Sequence, residues 1–228
     1  MKQNIEKLLL LVLGVFFLAS CEKDNYEAPK SMYTGAILYK GDTICVASKS
    51  AVYFELRESG WQFKTPIKVL VKTDGTFSAV LFNGNYKMVL PATQGPYLSP
   101  SDTTDVVITG NINKNIEVMP YYMIRNAAFT AAARTVTGSC SLEQVVLGDQ
   151  ANAVERVTMY VSYTYYADQF SNDVSADAAL TDLNNLSVNV TVPLFPTSPS
   201  QSYVYVRLGV KIQNVDDMIY TSPRKISI

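Results

Sequence analysis

From residue 33 onward the chain alternates apolar and polar positions in short runs broken by Gly, Asn, Asp and Pro, with no long stretch of helical period. Ile67, Val69 and Val71 alternate with Lys68 and Lys72, and Thr73-Asp74-Gly75-Thr76 supplies a tight hairpin turn before Phe77, Ala79 and Leu81 resume on one face. Asn83-Gly84-Asn85 turns the chain again into Tyr86, Met88 and Leu90. Pro91 to Asp105 reads as a loop across one end of a sandwich, and Val106–Ile108 and Ile116–Val118 read as its last strands.

A second set of strands follows Met119-Pro120-Tyr121-Tyr122, where proline interrupts the pattern. In 157–166 the odd positions are apolar or aromatic and the even ones carry hydroxyls, placing Tyr160 and Tyr166 on the outer face. Leu186, Val188, Val190 and Val192 form another inward set, as do Val204, Val206, Leu208, Val210 and Ile212, leaving Tyr203, Tyr205, Arg207 and Lys211 outward. Asp168 to Asn185 is expected to be a long solvated loop with one helical turn around Ala176–Leu183. The pattern predicts an all-β chain of two tandem immunoglobulin-like or transthyretin-like β-sandwiches, a first over 33–120 and a second, fibronectin III or Ig-like, over 121–228.

The N-terminal segment obeys a different rule. Lys2 and Lys7 precede an apolar run, Leu8–Phe17, of signal-peptide length, and Leu18-Ala19-Ser20-Cys21 has the form of a lipobox. Residues 1–20 are therefore expected to be removed and Cys21 acylated, with 21–32 as a polar tether; two or three acyl chains hold durably where one does not. Glu22 and Asp24 after the cysteine resemble the surface-export signal of Bacteroidetes lipoproteins. The expected location is the outer membrane, lipid-anchored and exposed at the cell surface, with the periplasmic leaflet as the alternative.

Chemistry enters mainly by exclusion. The 228 residues contain no histidine, which removes the commonest general base and metal ligand. A net charge of −1 with scattered Lys and Arg offers no nucleic-acid footprint. No catalytic residue, metal site or cofactor is expected, although carboxylate-only glycan hydrolysis needs no histidine. The loop acids Asp102, Asp105, Asp168, Asp173, Asp177 and Asp182 fit no calcium-loop spacing and are expected to be solvated. Cys45 and Cys140 are expected as separate buried thiols.

Aromatic side chains carry the remaining functional signal, among 15 tyrosines. Trp61 and Phe63 follow the Ser59-Gly60 turn, while Tyr160, Tyr166, Tyr203 and Tyr205 are placed outward; such rings suit sugar faces, or else pack as cross-strand pairs or a domain interface.

Thr73-Asp74-Gly75-Thr76-Phe77, with Leu81-Phe82-Asn83-Gly84-Asn85-Tyr86-Lys87, resembles the carboxypeptidase regulatory-like domain, a seven-stranded sandwich. With the lipobox and the Glu117-Val118-Met119-Pro120-Tyr121 junction, the whole chain resembles the DUF3823 lipoproteins of Bacteroidetes. That resemblance implies a non-enzymatic accessory of SusC-like and SusD-like polysaccharide capture, binding glycan or those partner proteins. It carries over no catalytic residues. A structural or fimbria-associated adhesive lipoprotein is the alternative function.

Overall fold

The computed structural model describes residues 27–49, 52–60, 65–92, 94–193 and 201–228; Cys21, Trp61 and Phe63 lie outside them. In the first sandwich, strand Ser31–Tyr39 pairs antiparallel with Thr76–Leu81 and parallel with Ile112–Asn113 and Ile116–Glu117. The register runs from Ser31 opposite Leu81 to Ala36 opposite Thr76. The facing sheet has the order Ile67–Leu70, Tyr53–Glu58, Gly84–Val89, Thr104–Ile108.

The sequence turns as its residues demand. Gly75 has φ +79°, and an added Cβ there would lie 2.4 Å from the Ile44 carbonyl oxygen, so the Asp74-Gly75 turn tolerates no larger residue. Between the sheets Tyr33, Phe54 and Phe77 pack edge to face, with centroids 4.9–6.3 Å apart. Burial pushes the Tyr33 hydroxyl up to about 12.

The second sandwich stacks Tyr122–Ala132, Thr135–Gln144 and Leu186–Thr191 against a sheet ordered Val174–Asp177, Val154–Ser162, Tyr203–Ile212. The last of these also pairs with Ile219–Tyr220 and Arg224–Ser227. Its core is aliphatic: Val157, Met159 and Val161 face Val136, Leu186 and Val188, with Val204, Val206 and Leu208 alongside. Cys45 and Cys140 are buried and unbridged.

Two expectations for 168–185 fail. No helical turn forms around Ala176–Leu183; Val174–Asp177 instead adds a strand to Val154–Ser162, with Thr158 donating to Asp177 at 2.5 Å across the pair. A strand edge offered more hydrogen bonds than an isolated helical turn could. Asp168 is not solvated but fully buried.

The two sandwiches meet on the outer face of the second domain's larger sheet. Tyr220 bridges to Cys45, its amide donating to the Cys45 carbonyl at 3.0 Å. Cys45 and Ala47 pack there against Tyr160, Ala167, Met218 and Tyr220. The face that alternation marked as outward is thus covered along its middle, which is why 157–162 is buried on both sides. Flanking contacts extend the seam: Gly95 donates to Asp217 at 2.9 Å, and Arg125 pairs with Asp42.

Candidate functional site

Where the seam ends, the same sheet face opens to solvent and carries a row of tyrosines. Tyr203 and Tyr205 leave the same face of strand Tyr203–Ile212, their rings 6.0 Å apart. Strand Val154–Ser162 ends at Ser162, opposite Tyr205, and the chain beyond it folds back so that Tyr165 lies 5.5 Å from Tyr205 and 5.6 Å from Tyr166. Successive rings meet edge to face, at 70–88°. Tyr165 and Tyr166 are 47% and 50% exposed, an outlay of aromatic surface to water that packing alone does not explain. The Lys225 ammonium sits 3.7 Å over the Tyr203 ring and steadies the far end of the row.

Tyr165 and Tyr166 also form one wall of a cleft of about 330 Å³ between the domains. The opposing wall is the first domain's 71–74 turn with Ser48. Burial pushes the Asp74 carboxyl up, but the hydroxyl and amide of Thr76, both donating to it, outweigh this and hold it below its ordinary value. It is therefore ionised at neutral pH, beside the exposed Lys72. Rings, an ammonium, a carboxylate and hydroxyls converging on an open cleft suit a polyhydroxylated ligand with apolar C–H faces.

Below the row lies a buried charge. Arg207 and Asp168 are each 0% exposed, with Nη1 3.9 Å from the carboxylate. Arg207 donates from Nε to the Thr221 carbonyl at 2.7 Å and from Nη2 to Val46 and Thr73 carbonyls at 3.1 and 3.4 Å, and its guanidinium stacks 4.5 Å above the Tyr220 ring. Asp168 accepts the Ser48, Phe170 and Ser171 amides at 2.7–3.1 Å.

Of the aromatic residues singled out from sequence, Tyr166, Tyr203 and Tyr205 come together. Tyr160 does not join them: its position opposite Arg207 puts it 4% exposed in the seam, 5.9 Å from Tyr220, where it serves the domain interface. Alternation over 157–166 places Tyr165 inward, but alternation ends with the strand at Ser162. The consecutive pair Tyr165-Tyr166 just past a strand end was the signal available for it. Arg207 gave none, since outward polarity looked like solvation.

A larger cleft, about 470 Å³, lies along the seam beside Asp42, Arg125 and Ser222. Its Arg125 guanidinium is already committed to Asp42 and to Glu143, the latter at 2.7 Å. Among the described residues no cluster of three or more Cys, Asp or Glu could hold a metal ion.

The fold is shared with solved proteins of Bacteroides and Parabacteroides species. A DUF3823 protein of Bacteroides ovatus is 29% identical, with a TM-score of 0.78 over 87% of this chain and 99% of its own. One from Parabacteroides merdae is 28% identical, with a TM-score of 0.75 over 88% and 100%. A candidate carbohydrate binding protein of Bacteroides uniformis has the same fold at 14% identity, with a TM-score of 0.69 over 88% and 100%. No curated protein matches. Residues 31–119 match the DUF3823 N-terminal domain and residues 122–225 the DUF3823 C-terminal domain, both described as of unknown function, so the chain belongs to the DUF3823 family.

Proposed function

We propose that this protein is a non-catalytic glycan-capture protein whose binding surface is the tyrosine row Tyr166–Tyr165–Tyr205–Tyr203 together with the cleft at its inner end. The observation that carries the reading is the row itself: four neighbouring rings, two of them about half exposed, running into a cleft with ionised and hydroxyl groups. The carbohydrate-binding description of the Bacteroides uniformis protein of like fold accords with it. In this reading Cys21 carries the lipid, the protein stands on the outer membrane facing outward, and captured glycan passes to SusC-like and SusD-like partners. Confinement to a surface raises the effective concentration of weak contacts.

The test is a glycan array probed with the mature chain carrying Cys21→Ser. Retention of a glycan that is lost in Tyr166→Ala and in Tyr205→Ala supports the proposal. Silence across plant and host glycans favours the adhesive reading, and depolymerisation abolished by one Asp→Asn change establishes a hydrolase instead. Incorporation of labelled palmitate into the wild type and not into Cys21→Ser checks the anchor, and protease shaving of intact cells checks the leaflet.

A further inference from the structure

The geometry points to Arg207 as a positioning residue that sets the width of the tyrosine cleft, acting through Asp168 on one wall and through the Thr73 and Val46 carbonyls on the other. The inference rests on the glycan-capture reading for its functional meaning, while its structural half can be tested without any ligand.

The cleft walls come from different domains. One is the chain segment carrying Tyr165 and Tyr166; the other is the turn holding Lys72, Thr73 and Asp74, with Ser48 beside it. Among the described residues no strand runs continuously between them. Arg207 reaches both. Its Nη2 donates to Thr73 O, on the first-domain wall, and to Val46 O, two residues before Ser48. Its Nη1 faces Asp168, two residues after Tyr166. Asp168 closes the circuit, since one carboxylate oxygen takes the Ser48 amide across the seam while the other ties down Phe170 and Ser171 in its own turn.

This arrangement is costly. Two charges are taken wholly out of water with a contact of 3.9 Å, longer than a hydrogen bond, and Nη1 has no hydrogen-bond partner among the described residues. A pair of apolar residues would weld the seam at less expense in desolvation. The planar fork of an arginine does what they could not: it holds carbonyls and a carboxylate from four segments in fixed directions. Gly209, one residue pair along the strand, leaves room for this, because a Cβ there would lie 2.6 Å from the Tyr220 ring on which Arg207 stacks.

Arg207→Met keeps the approximate volume and removes the fork. Hydrogen exchange on the mature chain is expected to show the Ser48, Phe170 and Ser171 amides exchanging about tenfold faster, with Phe54 and Val157 in the two cores unchanged. Unchanged exchange at all three amides overturns the inference, as does a uniform rise that includes both cores.

The functional readout is a double-mutant cycle with Lys72→Ala, measured on the oligosaccharide that the array retains most strongly. If Arg207 holds the first-domain wall in place, Lys72→Ala weakens binding by about threefold or more in the parent and adds nothing in Arg207→Met. Equal penalties in both backgrounds assign Arg207 to stability alone and overturn the positioning role. A parent chain that binds no glycan refutes the capture reading, and the exchange measurement still decides whether Arg207 couples the walls.

Discussion

The two domains use aromatic residues in opposite ways. The first buries Tyr33, Phe54, Phe77 and Tyr86 between its sheets, and the first three rings pack edge to face as core. The second fills its interior mainly with valine, leucine, isoleucine and methionine, keeps Tyr122 at the edge of that core, and sends Tyr160 and Tyr220 into the seam and Tyr165 and Tyr166 to water. The same ring does different work according to what covers it. An aromatic core supplies stability, whereas an aromatic face on an aliphatic sandwich has already been relieved of that duty and is free to meet a partner.

The contrast breaks most visibly at Phe77. Phe77→Ala removes the ring that touches both Tyr33 and Phe54 and should cost roughly 3–5 kcal/mol, read as a fall in the chemical denaturation midpoint. Loss of under 1 kcal/mol would show that the triad is not the first domain's keystone. Gly209→Ala comes next: its methyl meets the Tyr220 ring, and overpacking of this kind costs about 1–3 kcal/mol, measurable by calorimetry.

Tyr166→Ala is expected to change stability by less than about 0.5 kcal/mol while abolishing retention on the glycan array, the reverse of the Phe77 outcome. A destabilisation comparable to that of Phe77→Ala would place the row with the core.

The smallest effect lies at Asp217. Burial raises its carboxyl above the usual range, only partly countered by the Gly95 amide. A carboxyl whose folded value is raised contributes stability below its unfolded value, near pH 3.9, and loses that contribution as pH rises through the folded value. Asp217→Asn should therefore raise the melting temperature slightly at pH 7, with the gain vanishing near pH 3; a gain that persists at pH 3 contradicts the assignment.

Strand identity was legible in the sequence because alternation and turn chemistry are local. Asp74-Gly75 makes a tight turn closed by the Val71–Phe77 bridge, but the strands it joins enter opposite sheets instead of pairing as a hairpin, whereas Leu186–Thr191 and Tyr203–Ile212 pair as their inward sets require. Alternation tells which residues share a face, but not what covers that face. Tyr160, Arg207 and Tyr205 share one, and the first domain covers the first two completely while reaching only the edge of the third. Asp168 misled for the same reason: an acid in a polar stretch looks solvated until a partner 39 residues away, Arg207, folds over it. Tyr165 escaped because period-two reasoning stops at Ser162.

The opening strand gives the molecule a polarity. Its Ser31 end lies beside Leu81 and Asn83, whereas the turn at Asp74-Gly75 lies at the Ala36 end, five residues or roughly 17 Å further along. In the proposed lipid-anchored arrangement the support would therefore lie at the base of a short mast, with the mouth of the cleft carried at its head. In the proposed capture role, large, slow-moving polymers would meet the tyrosine row before they met the support, and the stub of sandwich beneath would act as the spacer.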